Sequence, residues 1–172
     1  GETCLVVPFV SKHVFVAEVP SSWVFTNKMC VIRRDSETNH ITLLSNIFEA
    51  WVREHGGTMG KTRNTLSLAA GVQTFPLLRE PIRNARELLN EWKSKFRFAE
   101  LDIGPSYTSI WNAYHNPEDK QSVVLALRSA RSAIDLAVRN AYQMSEIDVK
   151  CDFVERQEGT RYTIPETMRR VV

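Results

Sequence analysis

At 172 residues, with 43% hydrophobic and 24% charged residues, the chain has the composition of one folded globular domain, residues 1–172, and not of a disordered segment. A formal net charge of +2 makes no overall argument for nucleic acid or membrane, and no apolar run approaches the roughly 18 residues that span a bilayer. The opening GETCLVVPFV lacks the basic flank of a signal peptide. Cys4, Cys30 and Cys151 are odd in number and far apart, which points to reduced, buried thiols and an intracellular protein of cytoplasm or nucleus; a Cys4–Cys30 disulfide between neighbouring strands is the alternative.

In chain order, residues 3–33 read as β. The segments TCLVVPFV, HVFVAEV, SWVF and MCVIR are rich in Val, Phe and Ile, with Pro8 and Pro20 at edges or turns. From about residue 40 the period becomes helical: Ile41, Leu44, Ile47, Phe48, Trp51 and Val52 share a face that ends at Gly56-Gly57. A short helix is expected over 62–70, then a loop with Phe75-Pro76, then a helix over 81–98 opened by Pro81. Gly104-Pro105-Ser106 starts another with Tyr107, Ile110, Trp111 and Tyr114 inward, and Asn116-Pro117-Glu118-Asp119 starts the longest, about 118–144. The tail alternates again at Ile147, Val149, Cys151 and Phe153, turns at Gln157-Glu158-Gly159, and resumes at Tyr162 and Ile164. The expectation is an α+β fold in which a helical region, about 40–144, packs with an antiparallel sheet from the two terminal segments.

No motif with a mechanism survives inspection. GGTMGKT at 56–62 is one residue short of a phosphate loop and follows a helix, so it reads as a glycine stop and a turn between helices. His13, His40, His55 and His115 form no metal-binding spacing and are expected at surface or cap positions; no cofactor or metal is implied. A Cys30–His40 pair has no local support, and there is no nucleophile elbow.

The informative feature is the charge distribution. Residues 60–98 carry Lys61, Arg63, Arg79, Arg83, Arg86, Lys93, Lys95 and Arg97 against Glu80, Glu87 and Glu91, leaving the rest of the chain net acidic. At about 100° per residue, Ile82, Ala85, Leu88, Leu89, Trp92 and Phe96 make an apolar face. Arg83, Arg86, Asn90, Lys93 and Arg97 make a polar stripe beside it, and Glu87 and Glu91 fall on the far side. Solubility does not require such segregation; a phosphate backbone or an acidic surface would use it. In the long helix, Arg128, Arg131, Asp135 and Arg139 read as a self-neutralised surface ladder, alanines at 126, 130, 133, 137 and 141 as a smooth packing face, and Leu125 and Leu136 as pointing away, either to a second layer or to another copy. Trp51, Trp92 and Trp111 fall on apolar faces; Trp23, after Pro20-Ser21-Ser22, is either a stacking platform for a base or a cap on the sheet.

In helix pattern, the stretch 62–144 with its Phe75-Pro76 pair resembles the helical coat proteins of rod-shaped plant viruses; the β-rich first 35 residues lie outside that pattern, and no site residue is carried over. The leading reading is a non-enzymatic binding or assembly module that engages RNA, DNA or another polyanion through the helix at 81–98, with Arg79, Arg83, Arg86, Lys93, Arg97, Lys61 and Arg63 as contacts. The alternative is a protein–protein or self-assembling, coat-like module working through Leu125 and Leu136, with a homo-oligomer or a protein partner. A membrane partner is not expected, and an enzyme ranks third.

Overall fold

The computed structural model describes residues 1–59, 63–65, 68–156 and 159–165. Three strands come first, β1 (Thr3–Pro8), β2 (Val10–Ser11) and β3 (Ala17–Pro20), followed by β4 (Met29–Arg33). Helices α1 (Glu37–Leu44) and α2 (Asn46–His55) lead to the short strands β5 (Gly57–Met59) and β6 (Arg63–Thr65) and a π-helical segment, Leu68–Gln73. Then come α3 (Ala85–Asp102), α4 (Tyr107–Tyr114) and α5 (Ser122–Ala141), and a closing hairpin of β7 (Asp152–Val154) and β8 (Arg161–Thr163).

The fold is α+β, with the helices central and antiparallel strands from both ends. Among the described residues those strands belong to separate sheets, β3-β1-β4, β2-β6-β5 and β7-β8. β1 is central in the first and buried along Cys4–Val7. Its side chains alternate: Leu5 and Val7 join the main core with Cys30, while Cys4, Val6 and Ala17 form a smaller cluster on the other face. All three cysteines are free and buried. The segment 22–25, which composition marks as β, is loop.

The expected helix at 62–70 is not formed: Arg63–Thr65 is a strand, paired with Gly57–Met59 and with Val10–Ser11. Thr58 and Thr65 are β-branched and suit a ladder once a partner strand is present, which a one-dimensional period does not reveal. GGTMGKT is accordingly not a turn between helices; Gly60, Lys61 and Thr62 lie outside the described residues.

The single helical face read across 41–52 is two helices broken at Ser45. Its hydroxyl donates to Thr42 O (2.6 Å), ending α1, and accepts from Phe48 N (3.2 Å), opening α2. α3 begins at Ala85 and not at Pro81, because Ile82 N–H is held by Thr38 Oγ1 of α1 (2.9 Å) and residues 82–84 form a turn. It runs on to Asp102 and stops before Gly104, which has φ +119°. α5 begins at Ser122, since Asn116 and Asp119 spend their side chains on turns ahead of it, accepting from Glu118 N and Gln121 N. Ile147, Val149 and Cys151 are buried in alternation as expected, but the ladder starts only at Asp152.

α3 and α5 form the main helical contact, with α1 against both. Trp92 sits in that core, 5% exposed, beside Trp111 and Phe96. Trp92→Ala is expected to cost about 3 kcal/mol, the low end for a buried aromatic, because the residue borders an open cleft into which its neighbours relax. An unfolding midpoint equal to wild type would place Trp92 outside the core.

Candidate nucleic-acid interface

Helical spacing puts Arg86, Lys93 and Arg97 on one side of α3, spanning about 16 Å of its axis at 1.5 Å per residue. Arg83 lies in the turn just before the helix and Arg79 in the loop that leads to it; all five side chains are exposed. The apolar face is where the pattern places it: Ala85, Leu89, Trp92 and Phe96 are buried, Ile82 and Leu88 partly so, and Glu87 and Glu91 are exposed. Lys61 lies outside the described residues; Arg63 is placed only as part of β6.

The five cations differ in what surrounds them. Lys93 Nζ reaches Glu18 Oε2 of β3 at 2.5 Å, and Arg86 Nε lies 3.7 Å from Glu37 Oε1 of α1. Glu18 is a hub, also held by Thr3 Oγ1 (2.6 Å) and Arg34 Nε (3.3 Å). Burial by itself would raise the Glu18 carboxyl, but hydrogen bonds from Lys93 and Thr3 and the Lys93 charge hold it below the usual carboxylate range. Arg79, Arg83 and Arg97 have no carboxylate partner among the described residues. Arg83 and Arg86 also stand at the positive end of the α3 dipole, where Asn84 supplies no side-chain cap. A cation there is unfavourable by tenths of a kcal/mol, and a bound phosphate reverses the sign.

Lys93 and Arg97 wall one side of a cleft of about 320 Å³, with Glu18, His40, Phe96 and Tyr107 also lining it. His40 is 3% exposed, and burial lowers it to about 4 against the opposing pull of Glu18, so its contact with that carboxylate (3.8 Å) is not an ion pair at neutral pH. Glu18 and His40 escape a reading of period alone. The one signal for Glu18 is its position as the lone charge in HVFVAEV, where an ionised group needs a partner.

The ladder of α5 is not on the surface. Arg128, Arg131 and Asp135 are 6%, 2% and 0% exposed; Arg139 alone of the four is partly exposed. Arg131 donates to Leu44 O (2.9 Å) and pairs with Glu49 (3.1 Å), which also holds Arg53. Asp135 accepts from Asn46 N and Nδ2, both at 2.7 Å, so a carboxylate of α5 caps the start of α2. Burial pushes Asp135 up to about 6 against the pull of Arg131 and Asn46. Arg128 donates to the carbonyls of Ala113, Tyr114, Asn116 and Asp119. Leu127, Ile134 and Val138 share this face, and the alanines at 126, 133, 137 and 141 are only partly buried beside it.

Three histidines are buried too, against the surface expectation. His13 and His115 stack at 5.1 Å between centroids; His13 Nε2 meets Asn112 Oδ1 (2.9 Å), and His115 Nδ1 accepts from Tyr162 N (3.1 Å). Burial lowers His13 to about 4 and His115 well below its ordinary value, so both are neutral. His115 does close α4 as its C-terminal cap. The His13–His115 pair holds elements together and is closed off from solvent. Among the described residues no cluster of three or more His, Cys, Asp and Glu is arranged to hold a metal ion, and no helix is long and apolar enough to cross a membrane.

No protein-family description and no curated protein matches the chain. The fold is shared with part of a solved structure. That structure is the Type IIL restriction-modification enzyme MmeI in complex with DNA, matched with a TM-score of 0.63 at 18% identity. The match covers 84% of this chain but 19% of that one, so the chain spans about a fifth of the enzyme's length. At this identity the likeness concerns the fold.

Proposed function

We propose that the chain is a non-enzymatic DNA-binding module that lays the phosphate backbone along Arg79, Arg83, Arg86, Lys93 and Arg97. The observation that carries this reading is the set of exposed arginines, Arg79, Arg83 and Arg97, without carboxylate partners among the described residues, while Lys93 and Arg86 beside them stay exposed although each meets a carboxylate, Glu18 and Glu37. An arginine kept free at a helix start, against the dipole, is matched to an anion from outside. The shared fold with part of an enzyme solved in complex with DNA supports the choice of polyanion.

Binding to duplex DNA is expected to weaken with salt by about 0.9 log units per log unit of salt for each phosphate neutralised. Arg83→Glu with Arg97→Glu is the informative double change. Reversing Lys93 or Arg86 instead would set new carboxylates against Glu18 or Glu37 and confuse folding with binding. The double variant is expected to lose about 10-fold or more in affinity for every sequence alike and to show a shallower salt slope, with an unchanged unfolding midpoint. Equal binding by variant and wild type would refute the interface. A second reading rests on Leu125 and Leu136, each 47% exposed and three turns apart on one side of α5. It makes that side a self-association surface, and light scattering on the purified chain decides it.

A further inference from the structure

The loop between β3 and β4 carries an apolar tip that the fold does not use. Both necks are fixed. Ser21 N and Oγ each donate to Glu2 O (3.1 Å), and Trp23 N closes a turn on Pro20 O (3.2 Å). At the far neck Met29 N bonds Thr26 O (3.2 Å) and Phe9 N bonds Lys28 O (2.9 Å). Phe25 turns back onto the cluster of Cys4, Val6 and Ala17. Between these anchors Trp23 and Val24 are 60% and 99% exposed. One aromatic of the loop is packed and the other is held out in water, on a backbone braced at both ends.

Two residues are far too little for a stable protein interface, which covers roughly 800 Å² on each partner. They suffice for a single flat ring, because each stacked base is recognised by one aromatic face. The place of the tip supports the same occupant. Pro20 lines the cleft together with Lys93 and Arg97, and Trp23 is one turn beyond Pro20. Within the loop Lys28 is the one charged residue between Val19 and Met29; in the adjoining cleft Glu18 is already held by Lys93.

We propose that Trp23, backed by Val24, is a base-stacking wedge: it meets the nucleobases of a DNA duplex whose phosphates lie along Arg83 to Arg97. This rests on the DNA-binding reading and adds to it a contact with the base stack. An apolar side chain pressed into a base step partly unstacks it and bends the duplex.

The test uses the purified chain and a fluorescently labelled duplex at low salt. Trp23→Ala is expected to weaken binding roughly 5- to 150-fold with an unchanged salt slope, since stacking is lost and phosphate contacts stay. Trp23→Phe is expected to keep affinity within about threefold, because a smaller ring still stacks. Quenching of tryptophan emission by unlabelled duplex is expected in the wild type and sharply reduced in Trp23→Phe, since Trp92 and Trp111 are buried and Trp51 is partly buried against Phe75. Three results overturn the wedge while leaving the DNA-binding reading intact: wild-type affinity in Trp23→Ala, quenching in Trp23→Phe as deep as in the wild type, or a lowered unfolding midpoint in Trp23→Ala, which would make the residue structural. No binding by the wild type at low salt overturns the DNA-binding reading itself, and the wedge with it.

Discussion

Glu49→Ala is expected to lower the stability of the protein by about 5 kcal/mol, the upper end of what breaking a buried ion pair costs. Glu49 is 1% exposed and holds two guanidiniums at once, Arg131 at 3.1 Å and Arg53 at 3.0 Å. Its removal leaves both cations in the interior with Asp135 as the nearby carboxylate for Arg131. For a domain of ordinary stability, about 5–15 kcal/mol, that loss is enough to leave much of the chain unfolded at physiological temperature. Glu49→Gln keeps the acceptor oxygen and is expected to lose less. Adding Arg131→Met to Glu49→Leu is expected to recover part of the deficit, because an apolar pair of similar volume avoids the desolvation of those two charges while Arg53 still loses Glu49. Urea midpoints for the four proteins decide the matter; Glu49→Ala within 1 kcal/mol of wild type would mean that this network contributes nothing net to stability.

Acid is expected to unfold the protein between about pH 6.5 and pH 4. His13 and His40 have folded values near 4 and His115 lies well below its ordinary value, in each case chiefly through burial. Above pH 6.5 these histidines are neutral whether folded or not, and contribute nothing. As pH falls through 6.5 the unfolded chain takes up protons that the folded chain refuses, so stability falls until the folded values are passed. A shift from 6.5 to about 4 corresponds to about 3 kcal/mol for each of His13 and His40. Asp135 works the other way: its folded value near 6 means that it costs stability above that pH and relieves the cost as it protonates on the way to 4. His13 and His40 against the one aspartate leave a net loss of about 4 kcal/mol on acidification, and His115 shifts in the same direction. His13→Gln is expected to flatten the dependence if it folds, and His40→Gln does so at an independent site. A midpoint that does not change from pH 7 to pH 4.5 would show that these rings are not buried neutral.

The fold class and the buried side of α3 were legible because both follow from period. Leu89, Trp92 and Phe96 recur at helical spacing, and β1 alternates by two. Period locates a face but does not say which way it points. Arg128, Arg131 and Asp135 repeat at the same spacing as Leu127, Ile134 and Val138, and in a sequence charge reads as the sign of the outside. What reverses that reading is Glu49, Leu44 and Asn46, some 80–90 positions earlier in the chain, which meet the charges with partners of the right kind. The break at Ser45 was hidden for a similar reason: the apolar face continues through it, while one hydroxyl changes the backbone direction. Of the candidate interface, the cations were visible in the sequence. That Lys93 answers Glu18 and Arg86 answers Glu37 was not, since those carboxylates come from β3 and α1.

Arg128 bears on how this molecule tolerates change in length. The run Asn116-Pro117-Glu118-Asp119 has the polar, turn-forming composition of a place where insertions accumulate. Yet one guanidinium spans it, donating to carbonyls at 113, 114, 116 and 119, so an added or deleted residue would displace acceptors from a donor fixed on α5. The β3–β4 loop is built the other way. Its hydrogen bonds are confined to the necks, with Phe25 as the one apolar anchor between them, and nothing elsewhere in the described fold depends on the tip. Homologues are therefore expected to hold the 113–119 connection at constant length and to tolerate changes of length in the β3–β4 loop, provided Ser21 keeps the neck and an aromatic stays at the tip.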